Sequence, residues 1–305
     1  MLGVDFRGVG APYAGPKLHA DIPDRTVDLW GIHRRYVEHD SGGYWDYCDF
    51  PLRDATLDEV EAWPLPSPDD YDYSNVAAQC AAQDEYCVMY GGAGLPDIIN
   101  STGMVRTMEQ VLVDLLTDDE AGVRYIQRKS GILLEIAART LEAAKGGVHV
   151  FQMGEDLGTQ IGPLISIELF RKAIRPIHQQ FIDLAKSYDL PVMIHCCGSS
   201  SWAFDDFIEM GIDVVDTLQP EAANMSPTYL KGRYGDRLSF HGAISTAGPV
   251  ATGSVQDTID DVRATLDVMM PGGGYALAPT HQLQDNSHTE NVVAMYETAH
   301  EHGRY

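Results

Sequence analysis

From residue 85 onward, short apolar runs alternate with amphipathic segments, and this alternation leaves the chain few architectures. The runs are YCVMYGG (86–92), VHVFQMG (148–154), PVMIHCC (191–197), IDVVDTL (212–218), LSFHGAI (238–244) and GYALAPT (274–280). Each is continuously apolar rather than alternating, as in parallel strands covered on both faces. A further short run, GVDFRGV (3–9), precedes them. The segments between carry helix-end signals. Thr107-x-x-Gln110, Thr117-x-x-Glu120 and Ser287-x-x-Glu290 read as capping boxes. Ser226 before Pro227 reads as an N-cap with Pro in the first turn. Gly146, Gly211 and Gly303 sit where helices should stop. Repeated strand–helix units imply a parallel sheet layered by helices. Six runs plus the one at 3–9 favour an α/β barrel over a doubly wound sheet.

The first third departs from this rhythm. Residues 21–75 are rich in Tyr, Trp, Asp and Gly, with DLWGIHRRYV and GGYWDYCDFPL inside them. Period-2 patterning there predicts a hairpin insertion, followed by the Pro/Asp loop WPLPSPDDYDYSN. Tyr44, Trp45, Tyr47 and Phe50 either pack that hairpin or form a lid or dimer surface. The expected organisation is one barrel domain over 1–305.

Composition removes several function classes. The formal charge is −24 and Lys/Arg runs are absent, so a nucleic-acid groove is not expected. No apolar stretch reaches the roughly 18 residues of a membrane span, and the N-terminus lacks secretory signal features. The 5 cysteines, two of them adjacent, do not form a disulfide framework. A reduced, cytoplasmic protein is expected.

In a parallel α/β fold the chemistry gathers at the C-terminal ends of the strands. There this chain places Glu155 and Asp156 with Gln160, then His195, Cys196 and Cys197, then Gln219, His241 and His281. Residues two apart on a strand face one side. His195 and Cys197 therefore point together, away from Cys196. An imidazole beside a thiolate suits zinc, at about 2.0–2.1 Å to nitrogen and 2.3 Å to sulfur. His281, ending a later strand, is the expected third ligand, and Glu155 a fourth ligand or a hydrogen-bonding support.

The segments GEDLGTQIGPLIS (154–166), PVMIHCCGS (191–199), GIDVVDTLQP (211–220), GDRLSFHGAIS (235–245) and GGGYALAPTHQLQDNSHTENVVAMY (272–296) resemble the uroporphyrinogen decarboxylase superfamily over the whole chain. The resemblance implies a (β/α)8 TIM-type barrel. It places Gly3–Val9 at the family's second strand, so this chain would lack the first. An incomplete barrel exposes a sheet edge, and a homodimer is expected to cover it. The superfamily contains the porphyrinogen decarboxylase and zinc-dependent methyltransferases that work with corrinoid proteins. The arginine-bearing segment that holds substrate carboxylates in the decarboxylase has no match here, although Asp5 corresponds loosely to its essential aspartate. The methyltransferases use His-x-Cys and a later Cys as zinc ligands. His195 and Cys197 match the first two, and His281 stands where the later Cys would be.

The resemblance thus implies a zinc-dependent methyltransferase acting with a corrinoid partner protein on a small-molecule acceptor. Zinc would sit on His195, Cys197 and His281. Glu155 or Asp156 would orient a ligand or take a proton, and Gln160, Gln219 and Tyr275 would contact substrate. The alternative is a decarboxylase or other lyase using Asp5, His241 and His281 as acid–base groups. A third reading is a non-catalytic barrel that binds a tetrapyrrole or a partner.

Overall fold

The computed structural model describes residues 2–39 and 42–305. Its strands are β1 (Phe6–Val9), β2 (Thr26–Val27), β3 (His33–His39), β4 (Gly42–Cys48), β5 (Cys87–Pro96), β6 (Val150–Gly154), β7 (Val192–His195), β8 (Val214–Thr217), β9 (Ser239–Ile244) and β10 (Tyr275–Pro279). The seven apolar runs of the sequence supply β1 and β5 to β10. The architecture is α/β, with the strand–helix alternation of the TIM-barrel type. The chain packs as two compact units: residues 2–6, 156–167 and 191–305 in one, and 7–155 and 168–190 in the other.

In the first unit β7, β8, β9 and β10 pair in parallel, each with the next in chain order. Val192, Ile194, Val215 and Phe240 are buried almost completely. Branched and aromatic side chains of this kind suit a pleated surface covered on both faces. Phe204 stacks on Phe207 with ring centroids 5.8 Å apart and packs on Tyr234 at 5.2 Å. Tyr234 satisfies its buried hydroxyl by donating to the Ser201 carbonyl at 3.1 Å.

In the second unit β5 pairs with β6 in parallel, and β2, β3 and β4 form an antiparallel sheet. The expected hairpin is therefore present in β3 and β4; residues 40 and 41 lie outside the described residues. Tyr36 meets Trp45 edge-on across the hairpin at 5.5 Å, and both rings are half-exposed. Ile32, Leu52, Val60, Val105 and Tyr125 form a core cluster beneath. Arg106 donates to both oxygens of buried Asp114, at 2.8 and 3.1 Å, and to the Leu52 carbonyl at 2.8 Å. This satisfies a charge that would otherwise be costly to bury.

Most helix ends fall where the sequence signals them. Thr107 caps Met108–Thr117, Ser226 caps Pro227–Tyr234, and Gly211 closes Phe204–Met210 with φ +97°. Two expectations are corrected. Thr117 is still helical, its hydroxyl donating back to the Val113 carbonyl, so Asp119 caps the next helix, Glu120–Ala144. The helix Thr289–His302 has His288 as its N-cap, one residue later than Ser287. All five cysteines are free, and among the described residues no helix is long and apolar enough to cross a membrane.

Candidate metal centre

Strand register lines up the polar residues of the first unit. His195 on β7 stands opposite Asp216 on β8, Asp216 opposite His241 on β9, and His241 opposite Ala276 on β10. Their side chains meet. His195 Nδ1 lies 2.9 Å from Asp216 Oδ2, and His241 Nδ1 lies 2.6 Å from Asp216 Oδ1. Asp216 is 6% exposed, and burial alone would raise its pKa; the hydrogen bonds from His195 and His241 win and hold it at about 2. An ionised carboxylate only accepts, so both Nδ1 atoms donate. The proton on His195 Nδ1 leaves Nε2 as its ligand atom.

That Nε2 faces two more donor atoms. Cys197 Sγ lies 3.3 Å away and Asp156 Oδ1 3.8 Å away. Asp156 Oδ1 also accepts the Cys197 backbone N–H at 2.9 Å. Among the described residues, Asp156, His195 and Cys197 form the group whose ligand atoms all lie within 4.8 Å of one another, each residue half-buried. Imidazole nitrogen, thiol sulfur and carboxylate oxygen at this spacing suit zinc. Burial opposes a charge on His195, but Asp216 and Cys197 outweigh it and raise its pKa to about 10. Cys196, beyond the end of β7, is fully buried; burial pushes its thiol well up, which makes it inert.

Two loops carry the cysteine and the aspartate, and they touch through glycines. Gly198 has φ +70°, and a Cβ there would lie 2.4 Å from the Gly158 carbonyl oxygen. Ser199 N–H donates to the Thr159 carbonyl at 2.8 Å, and Gly198 N–H to Gln219 Oε1 at 2.7 Å. β8 ends on Thr217 with φ +91°, and Leu218 follows it with φ +55°. A β-branched residue there is strained, and such strain gathers at functional sites.

The structure sorts the expected site residues. His195 and Cys197 come together, and Asp156 joins them. His281 does not: it is exposed, with Nδ1 3.4 Å from the Gln282 carbonyl. Glu155 is 1% exposed and committed elsewhere, accepting Ile98 N–H at 2.7 Å, Ile99 N–H at 2.8 Å and pairing with His178 Nε2 at 3.0 Å. Both of its oxygens are engaged, and it holds the N-terminus of the helix Ile98–Arg106, a structural place where a catalytic one is expected. Gln219 supports the cysteine loop. Gln160 is exposed and gives its carbonyl to Ala223 N–H at 2.9 Å. Tyr275 is buried with its hydroxyl donated to the Gly242 carbonyl at 2.8 Å, so it braces β9 instead of presenting that group to substrate. Asp5 and His241 line one cavity of about 320 Å³, with Phe6, Tyr275, Tyr296 and His300. Asp216 is the residue missing from the sequence reading. Its signal was one of two charges, Asp213 and Asp216, inside the otherwise apolar run 212–218.

Comparison with known proteins agrees with this fold. A family model for uroporphyrinogen decarboxylase (URO-D) matches residues 55–302. The chain is similar in structure to a methyltransferase from Methanosarcina mazei, with a TM-score of 0.65 and 14% sequence identity, over 91% of this chain and 77% of that one. No curated protein matches the chain.

Proposed function

The chain belongs to the uroporphyrinogen decarboxylase family, and we propose that within it this protein is a zinc-dependent methyltransferase. It moves a methyl group between a corrinoid protein and a small-molecule acceptor. The observation that carries this reading is the group of His195 Nε2, Cys197 Sγ and Asp156 Oδ1. These three residues would hold the ion, and Asp156 takes the place expected of His281. Asp156 supplies the second negative charge that a later Cys supplies in the methyltransferases of the family. One neutral imidazole, one thiolate and one carboxylate balance a divalent ion. A zinc ion held there would supply Lewis acidity, the chemistry by which a thiol acceptor would be activated near neutral pH.

The chain's own residues do the rest. Asp216 fixes the tautomer and the ring plane of His195. Gln219 and the Gly158–Gly198 contact hold Cys197 in place. Asp156 keeps Cys197 near through its backbone N–H. The likeness to the Methanosarcina mazei methyltransferase supports the fold on which this reading stands.

One observation favours the lyase reading: Asp5 and His241 line the same cavity. Against it, among the described residues that cavity has no arginine in its lining to hold a carboxylate. The two readings part on one assay. The purified protein is incubated with methylcobalamin and a thiol, with and without a zinc chelator. The methyltransferase reading expects demethylation that the chelator abolishes and zinc restores. Decarboxylation of a carboxylate substrate by the chelated protein, with no methyl transfer in either state, overturns it.

A further inference from the structure

We propose that His241 is a positioning residue for the metal group, holding Asp216 so that His195 presents Nε2 to Cys197 and Asp156. The inference rests on the zinc-site reading above.

It follows from how a carboxylate is held. A carboxylate bonded through one oxygen can still swing about its terminal torsion, which is broad and soft. Asp216 is bonded through both. Oδ2 accepts from His195, and Oδ1 accepts from His241 at 2.6 Å. The second bond removes the freedom that the first leaves. His241 is itself braced: Phe6 meets its ring edge-on, with centroids 5.1 Å apart. Register supplies the rest, because the three residues stand opposite one another on three adjacent strands. His241 is one carboxylate removed from the ligand group and is not part of it. It acts on the ion only through Asp216 and His195, in the way outer partners orient a ligating histidine.

Cobalt(II) is the probe, since it takes the same donor set and reports it by colour. Wild type, His241→Leu and His241→Asn are titrated with Co²⁺ against a competing chelator, and metal-free thermal unfolding reports folding. The asparagine amide nitrogen stands about where Nδ1 does and can donate to Asp216. The leucine cannot. His241→Leu is expected to bind Co²⁺ about 10–100-fold more weakly, with the sulfur-to-cobalt charge-transfer band of Cys197 retained. His241→Asn is expected to recover most of that loss. Should His241→Leu fail to fold, the weakening is read from Asp216→Asn, which breaks the same chain one residue earlier. Wild-type protein that binds no Co²⁺ overturns the zinc-site reading and this inference with it. Wild-type binding that is unchanged in His241→Leu, or unchanged in Asp216→Asn when that variant serves, overturns this inference alone. So does a loss that His241→Asn fails to relieve.

Discussion

Asp216 divides its carboxylate between two histidines, accepting from His195 Nδ1 at 2.9 Å on one oxygen and from His241 Nδ1 at 2.6 Å on the other. The pairing decides where a proton resides on His195. With Nδ1 committed to Asp216, the second proton of the cation sits on Nε2, the atom that would bind metal. A metal ion must displace it.

Metal uptake therefore depends on pH. With a pKa raised to about 10, metal-free His195 is protonated through the neutral range. Zinc affinity should rise about tenfold per pH unit from this group alone between roughly pH 6 and 9. Calorimetry in buffers of different ionisation enthalpy should show at least about one proton released per metal bound. Proton-free binding would contradict the assignment of Nε2 as a ligand.

Glu155 should behave as a structural residue. It accepts two backbone N–H groups and pairs with His178 in a fully buried position. Glu155→Ala leaves those donors unsatisfied and should cost on the order of 3 kcal/mol in urea unfolding. The metal content of the folded fraction should not change. Retained stability with lost metal would return Glu155 to the site.

Lys129 gives a stability signature of opposite sign to that of His195. It is buried beside Trp30 and donates to the Ser101 carbonyl at 3.3 Å. Desolvation lowers its pKa to about 8, against partial compensation by Asp97, Asp28 and Glu155. Between pH 8 and 10.5 the unfolded chain thus binds more protons at this residue, and stability rises with pH. The raised pKa of His195 works the other way: its contribution is complete below about pH 6.5 and lost as pH rises through about 10. Comparing wild type with Lys129→Met isolates the lysine. Relative to the variant, wild type should gain roughly 3 kcal/mol across this window. A constant difference would contradict the lowered pKa.

The loop contact at Gly198 should be intolerant of a side chain. Gly198→Ala places a Cβ 2.4 Å from the Gly158 carbonyl oxygen at φ +70°. It should destabilise the protein by about 1–3 kcal/mol and weaken metal binding. Gly162, in the same loop as Gly158, has no atom within 4 Å of its added Cβ. Gly162→Ala should be silent in both measurements. Equal effects at the two glycines would remove the argument that the contact sets the position of Cys197.

The His195–Cys197 pair was legible because the strand period puts i and i+2 on one side; β7 ends at His195, and the loop that follows brings Cys197 Sγ to 3.3 Å from Nε2. The parallel strands were legible for a similar reason: runs buried on both faces have no polar alternation to blur them. Asp216 was not. Its partners come from the registers of β7, β8 and β9, and no local pattern states which residue stands opposite which. That Asp156 and not His281 lies beside His195 and Cys197 has the same origin. His281 ends a strand run as a ligand should, but the position of the loop beyond β10 is not written in its residues. Glu155 and Asp156 are adjacent and chemically alike, and only the hydrogen-bond partners reveal that one holds a helix while the other faces the cysteine. At Thr117 a residue in left-handed conformation at Asp118, φ +55°, ended the helix and shifted the next cap to Asp119.

The most direct test is the zinc content of protein purified from zinc-replete medium, measured by elemental analysis for wild type, His195→Ala, Cys197→Ser, Asp156→Asn and His281→Ala. Wild type and His281→Ala should carry about one zinc per chain, and the first two variants less than about 0.2, a rough threshold for loss of a tight site. Asp156→Asn should fall between. Wild-type protein with less than about 0.2 zinc per chain, unchanged by the His195 and Cys197 substitutions, would contradict the metal centre.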